Sequence, residues 1–329
     1  MLNTILLISA GIFFLSFILT YIIKKLASRL NVIDIPNERS SHIIPTPRGG
    51  GLSIVIAWYL GISVLYYFNL IEKQLYFSLL CGVLLAVIGL VDDVINLSPF
   101  IRLISQIITV LAAFIFLKGI EPAQFAGFEI NYNYILYPIT IIGMVWFINL
   151  YNFLDGIDAY VSIETIFLAA AFYFFTGDLI TLILAASVLG FLFWNWPKAK
   201  IFMGDVGSTQ LGFIIVVLGI YFHNEAELSI LYWILLSAPF WFDATLTLYR
   251  RWRNQEKLSE AHKKHTYQRI VQAGFSHLKT DLYLILINLF IFGLVFLSIV
   301  HEFLYIPSLI IILILLFVIT KQVDKRKSF

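Results

Sequence analysis

Three short stretches put carboxylates where chemistry could use them. "LVDDVINLS" holds the adjacent acids Asp92 and Asp93, "NFLDGIDAY" carries Asn152, Asp155 and Asp158, and "FMGDVGS" sets Asp205 among glycines. A fourth stretch, "AHKKHTYQR", supplies His262, His265 and Arg269 amid further positive charge. Adjacent carboxylates repel each other and gain from a bound cation. Glycines around an acid let the backbone approach a phosphate or a metal closely. Asp155 and Asp158, three apart, are expected to share one face of a helical turn. The two histidines have the spacing of metal ligands, but Lys263, Lys264 and Arg269 disfavour a dication there and suit an anion. Each feature alone has an ordinary explanation: a helix cap, an Asx turn, a plain loop, a basic segment drawn to anionic lipid. Together they describe acids holding a hard cation and bases holding phosphates, the mixture that phosphoryl transfer needs.

The elements that must position these groups are membrane helices. The 329 residues are 60% hydrophobic and only 13% charged, with a mean hydropathy of +0.90. A soluble domain is nearer half apolar and a quarter charged. Apolar spans fall at 2–23, 50–68, 75–91, 101–117, 134–153, 159–176, 179–196, 206–222, 228–248, 282–300 and 303–320, predicting an all-α polytopic bundle of about eleven transmembrane helices. The first span precedes Lys24, Lys25 and Arg29, which reads as an N-out anchor rather than a cleavable signal. The cytoplasmic segments are then 24–49, 92–100, 154–158, 197–205, 249–281 and 321–329. Of the 22 lysines and arginines, only Lys73 and Lys118 lie on the outer side, as the positive-inside rule requires. Every polar motif lands on the cytoplasmic face. Residues 1–329 read as a single transmembrane catalytic domain, its site built from loops 24–49, 92–100, 154–158, 197–205 and 249–281. Cys81 is the only cysteine, so no intrachain disulfide forms. No nucleic-acid partner is expected, and the apolar helix faces would allow a homodimer.

In order and spacing, "LVDDVINLS", "NFLDGID", "FMGDVGS" and "HKKHTYQR" resemble the polyprenyl-phosphate N-acetylhexosamine-1-phosphate transferases, a superfamily shared with the phospho-muramoyl-pentapeptide transferases. "DIPNERSSHIIPTPRGGG" is similar to that family's first cytoplasmic loop, so the resemblance covers residues 34–275. It implies an inner-membrane, Mg²⁺-dependent enzyme, with Mn²⁺ as the alternative ion. A polyprenyl (undecaprenyl) phosphate would attack a UDP-N-acetyl sugar on the cytoplasmic face, giving polyprenyl-diphospho-sugar and UMP. Such a step initiates a cell-surface glycan such as lipopolysaccharide or a cell-wall polymer. By motif position, Asp92 and Asp93 would engage or deprotonate the lipid phosphate, Asn152 and Asp205 would hold the metal, and Asp155 and Asp158 would support metal and donor. His262, His265 and Arg269 would grip the diphosphate or sugar, with Arg102 as a further phosphate clamp. Asp34, Arg39, His42 and Arg48 would contact the nucleotide or lipid head. Asp243 reads equally as a partner of Arg250 or Arg251 and as lining the donor pocket.

Two departures bear on specificity. The muramoyl-pentapeptide enzymes carry three consecutive histidines where this chain has "HKKH", which favours a smaller UDP-N-acetylhexosamine over that alternative. Ala159 stands where relatives often have Gly, adding a methyl expected to tighten donor selection. A transporter or flippase is the rival from another class, but such proteins place acids near the midplane on broken helices, and no pair of those is evident here. CDP-alcohol phosphotransferases pack their acids into one short run, whereas these are spread over three helices.

Overall fold

The computed structural model describes residues 2–36, 44–95, 97–125, 128–130, 133–258, 260 and 262–329. Arg39 and His42 lie outside them. Among the described residues the regular structure is helical apart from two short antiparallel ribbons, β1 (Ile33–Asp34) with β2 (Thr46–Pro47) and β3 (Ala123–Phe125) with β4 (Phe128–Ile130). The helices are α1 (Leu2–Arg29), α2 (Gly51–Tyr67), α3 (Lys73–Leu80), α4 (Val83–Ile95), α5 (Pro99–Phe116), α6 (Asn133–Leu154) and α7 (Tyr160–Thr176). They continue with α8 (Ile180–Asn195), α9 (Asp205–Asn224), α10 (Ile230–Leu236), α11 (Ala238–Arg253), α12 (Thr266–Gln272), α13 (His277–Val300) and α14 (Tyr305–Arg326). Among the described residues seven helical segments are long and apolar enough to cross a membrane, eight if the bent pair α10–α11 counts as one, and α2, α7 and α8 are shorter apolar helices.

Helix α9 is the axis of the bundle. It is buried on every side from Val206 to His223 except at Thr209, and from Leu211 to Phe222 it carries almost only apolar residues, as an enclosed helix does. Helices α2, α4, α6 and α7 surround it. Most of the large apolar side chains of α5 and α14 that face outward, such as Ile108, Ile115, Ile314 and Phe317, are exposed on the bundle's surface. With no water in the hydrocarbon, helices can leave such faces to lipid.

Two sequence expectations change. The span at 228–248 is two helices bent by 73°. Pro239, in the first turn of α11, has no N–H with which to continue the α10 ladder, and the Ser237 hydroxyl turns back onto the Trp233 carbonyl at 3.0 Å. Asp92 and Asp93 lie inside the last turns of α4 rather than after its end.

Candidate active site

The site begins with a close approach of three helix ends. Gly51 opens α2 against the start of α9: its amide donates to the Met203 carbonyl at 2.8 Å, and the neighbouring Gly50 amide donates to Phe202 at 2.9 Å. A Cβ on Gly51 would sit 2.3 Å from the Gly207 Cα, so only glycine permits this contact. Gly204 has φ +77° and presents its backbone to the Asp93 carboxylate, where a side chain would collide. Asp93 then caps α9, accepting from the Asp205 amide at 2.9 Å and the Val206 amide at 3.3 Å.

Two guanidiniums bridge the acids thus assembled. Arg48 is placed by the β1–β2 ribbon, its amide donating to Val32 at 3.2 Å. Its Nε lies 2.9 Å from Asp93 Oδ1, and its Nη2 bonds Asp205 Oδ1. Burial alone would loosen its proton, but Asp205 and Asp93 outweigh that and hold the group cationic above its ordinary range. Arg102 comes from α5. Ser98 caps that helix and Pro99 starts it, so Arg102 falls in the first turn, facing the end of α4. Its Nη1 lies 3.1 Å from Asp92 Oδ2 and 3.5 Å from Asp205 Oδ2. Asp92 also accepts from the Leu97 amide at 2.6 Å. Acids distant in sequence, Asp92, Asp93 and Asp205, therefore share one centre.

Asp155 belongs to this centre and Asp158 does not. The segment 155–159 is not helical, so the two acids do not share a face of a helical turn. Burial, with Asp205 and Asp93 nearby, pushes the Asp155 carboxyl up to about 8 against the pull of Arg48. Asp158 accepts from the Ala199 amide at 3.1 Å and meets His277 Nδ1 at 3.1 Å, tying the start of α7 to α13. Asn152 donates to Ser208 at 3.1 Å beside Asp205.

A cleft of about 340 Å³ opens next to the acids, between α5, α6, α9 and the segment following α11. Asp205, Arg102 and Asn152 line it together with His262 and His265. His262 Nδ1 accepts from the Lys264 amide at 3.2 Å, which leaves Nε2 as the protonated nitrogen. Burial, then His265 and Arg251, drive its pKa down to about 3. At neutral pH it offers an N–H rather than a charge. His265 lies flat against Phe153, ring centroids 6.4 Å apart, and caps α12.

Not every expected residue joins. Arg269 is buried away from the cleft, donating to Asp324 Oδ1 at 2.6 Å and to the Lys327 carbonyl. Asp243 pairs with neither Arg250 nor Arg251 and is absent from this cleft. It accepts from the Thr266 amide at 2.8 Å and lies 3.9 Å from His265 Nδ1, so it holds the start of α12. Ala159 has φ +63° and a buried methyl outside the cleft wall. Sequence reasoning placed Arg48 in a substrate loop and missed its role as the central counter-charge. The only signal was the "PRGGG" run, whose glycines permit the approach. His277 gave no signal at all.

The chemistry of this donor set fits a hard divalent cation. Asp92, Asp93, Asp155 and Asp205 face two guanidiniums, which leaves two uncompensated negative charges when all are ionised. Among the described residues no three His, Cys, Asp or Glu side chains form a ready-made cage. Mg²⁺ rarely uses one; it is held by one or two carboxylates and completes its shell with water and substrate phosphate.

Fold and site define a polytopic helical membrane protein with a buried carboxylate–guanidinium centre at one end of the bundle. The model of glycosyl transferase family 4 matches residues 75–223. The chain is 29% identical over 314 residues to the probable undecaprenyl-phosphate N-acetylglucosaminyl 1-phosphate transferase of Bacillus subtilis, covering 91% of this chain and 86% of that protein. It is 28% identical to the undecaprenyl-phosphate alpha-N-acetylglucosaminyl 1-phosphate transferase of Thermotoga maritima, over 78% and 79% of the two chains. To the decaprenyl-phosphate N-acetylglucosaminephosphotransferase of Mycobacterium leprae it is 26% identical, over 80% and 76%. These similarities and the ordered acidic and basic motifs support the polyprenyl-phosphate N-acetylhexosamine-1-phosphate transferase family.

Proposed function

We propose that this protein transfers N-acetylhexosamine-1-phosphate from a UDP-sugar to a polyprenyl phosphate, releasing UMP at the cytoplasmic face of the inner membrane, as the first step of a cell-surface glycan. The observation that carries the reading is the convergence of Asp205 and Arg102, the latter paired with Asp92, in one cleft with His262 and His265. The names of the relatives agree with it. The orientation follows from the lysine and arginine bias, which puts the acid centre inside, with eleven spans counted when the bent pair and the three short apolar helices all cross.

In this reading the acceptor phosphate enters along α5, whose Leu103 lines the cleft, and meets Arg102. Asp92, in contact with Arg102, the Leu97 amide and the Asp205 carboxyl, is the acid placed to accept its proton. Asp93, saturated by Arg48 and two amides, orders the centre instead. His262 Nε2–H and His265 orient the donor diphosphate. Mg²⁺ would be held by Asp205 and Asn152, with Asp155 behind them, and would neutralise charge developing on the bridging phosphate. The phospho-muramoyl alternative is disfavoured by "HKKH".

The test is the fate of phosphorus. With [β-³²P]UDP-GlcNAc, label should enter the lipid fraction as UMP appears, and Asp205→Asn should abolish this while the protein still inserts. Release of UDP would mean glycosyl transfer of another class.

A further inference from the structure

The end of α14 makes contacts that the proposed reaction does not use. Asp324 accepts both terminal nitrogens of Arg250 on α11, at 3.0 Å each, and Nη2 of Arg269 on α12 at 2.6 Å. Arg269, itself buried, also donates to the Lys327 carbonyl. Just beyond, the Phe329 ring faces three cations: Arg250 at 5.3 Å, Lys264 at 5.1 Å and Arg269 at 5.5 Å from its centroid. Fork-to-carboxylate pairs of this kind fix angle as well as distance.

These contacts bracket the histidines. Lys264 lies between His262 and His265 in sequence and reaches back to Glu256 at 2.6 Å. His265 is the residue on which α12 starts, and Arg269 sits one turn along that helix, where its own amide bonds the His265 carbonyl at 3.0 Å. Turning α12 would turn His265 with it. That end of α12 is also held by Asp243 on α11, which accepts from the Thr266 amide, and by Tyr267, whose hydroxyl donates to the Phe153 carbonyl at 3.2 Å, but neither contact fixes the Arg269 end of the helix.

We infer that Asp324 is a positioning residue for the donor side of the cleft: by clamping Arg250 to Arg269 it locks α12 and so sets His262 and His265. It touches no reacting group. The inference rests on the proposed reaction for its kinetic consequence, but not for its structural one.

The experiment compares wild type with Asp324→Ala, Asp324→Asn and Asp324→Glu in lipid nanodiscs, using UDP-GlcNAc, undecaprenyl phosphate and Mg²⁺. In Asp324→Ala, the KM for UDP-GlcNAc should rise by about tenfold, since small misplacements of orienting groups are costly. The KM for undecaprenyl phosphate should stay within twofold. Backbone hydrogen exchange over 262–272 should accelerate while α9 is unchanged, and Asp324→Glu should restore most of both. If Asp324→Ala does not accumulate, Asp324→Asn, which keeps the shape, takes its place. An unchanged donor KM, or a fall in kcat with both KM values unchanged, overturns the inference. Should the wild type fail to transfer sugar phosphate, the proposed reaction falls and hydrogen exchange alone decides the clamp.

Discussion

Replacing Gly51 with Ala tests whether the ends of α2 and α9 truly abut. The added Cβ would lie 2.3 Å from Gly207 Cα, 2.6 Å from its amide nitrogen and 2.9 Å from the Met203 carbonyl, whereas ordinary contact begins at 3.4 Å. All three atoms are backbone, so no rotamer can relieve the clash. The two helices must separate by about 1.1 Å, the difference between those distances. Overpacking of this kind costs about 1–3 kcal/mol. The same displacement moves Asp205, two residues from Gly207, relative to Arg48, which is three residues from Gly51. A misplacement of about 1 Å in a site costs up to roughly 10²-fold in rate. Gly51→Ala should therefore lower the melting temperature and cut sugar-phosphate transfer by about two orders of magnitude. Gly11→Ala is the control: its Cβ meets nothing within 4 Å, and a mid-helix Gly-to-Ala change should stabilise by about 0.5–1 kcal/mol. A Gly51→Ala protein with wild-type melting temperature and rate would refute the arrangement at the centre of the site.

Ala159→Gly should raise stability by up to about 1 kcal/mol, because Ala159 occupies the left-handed region. A change in donor preference with no shift in melting temperature would show instead that the methyl acts on substrate. Asp155 carries a pH signature. Its folded pKa of about 8 lies above its ordinary value of 3.8, so its stabilising contribution is complete below the lower value and lost as pH rises through the upper one. In the absence of Mg²⁺ the unfolding free energy should fall by at most about 1.4 kcal/mol per pH unit across that window, with the melting temperature falling alongside it, and Asp155→Asn should flatten the profile; parallel profiles would contradict the assignment. Removing Mg²⁺ with EDTA should abolish transfer and restoring the ion should recover it, whereas full activity in EDTA would remove the cation from the proposal.

The sequence determined the solvent each segment prefers. Apolar runs and the lysine and arginine asymmetry depend on local composition, so helical segments, the single polar face and the four acidic and basic motifs could all be read directly. The span predicted from 206 fell within one residue of the start of α9 at Asp205. Partner choice could not be read in the same way. Nothing within "PRGGG" specifies that Arg48 will bridge Asp93 and Asp205, nor within "HTYQR" that Arg269 will turn from the cleft to Asp324. Those pairings depend on which helix ends abut, and glycine contacts such as Gly51 on Gly207 fix that across 156 residues of chain. Asp155 and Asp158 show the same limit at short range: identical side chains three apart, one drawn to Arg48 and the other to His277. A carboxylate binds whatever cation or amide packing brings within about 3 Å, and packing is a property of the whole bundle.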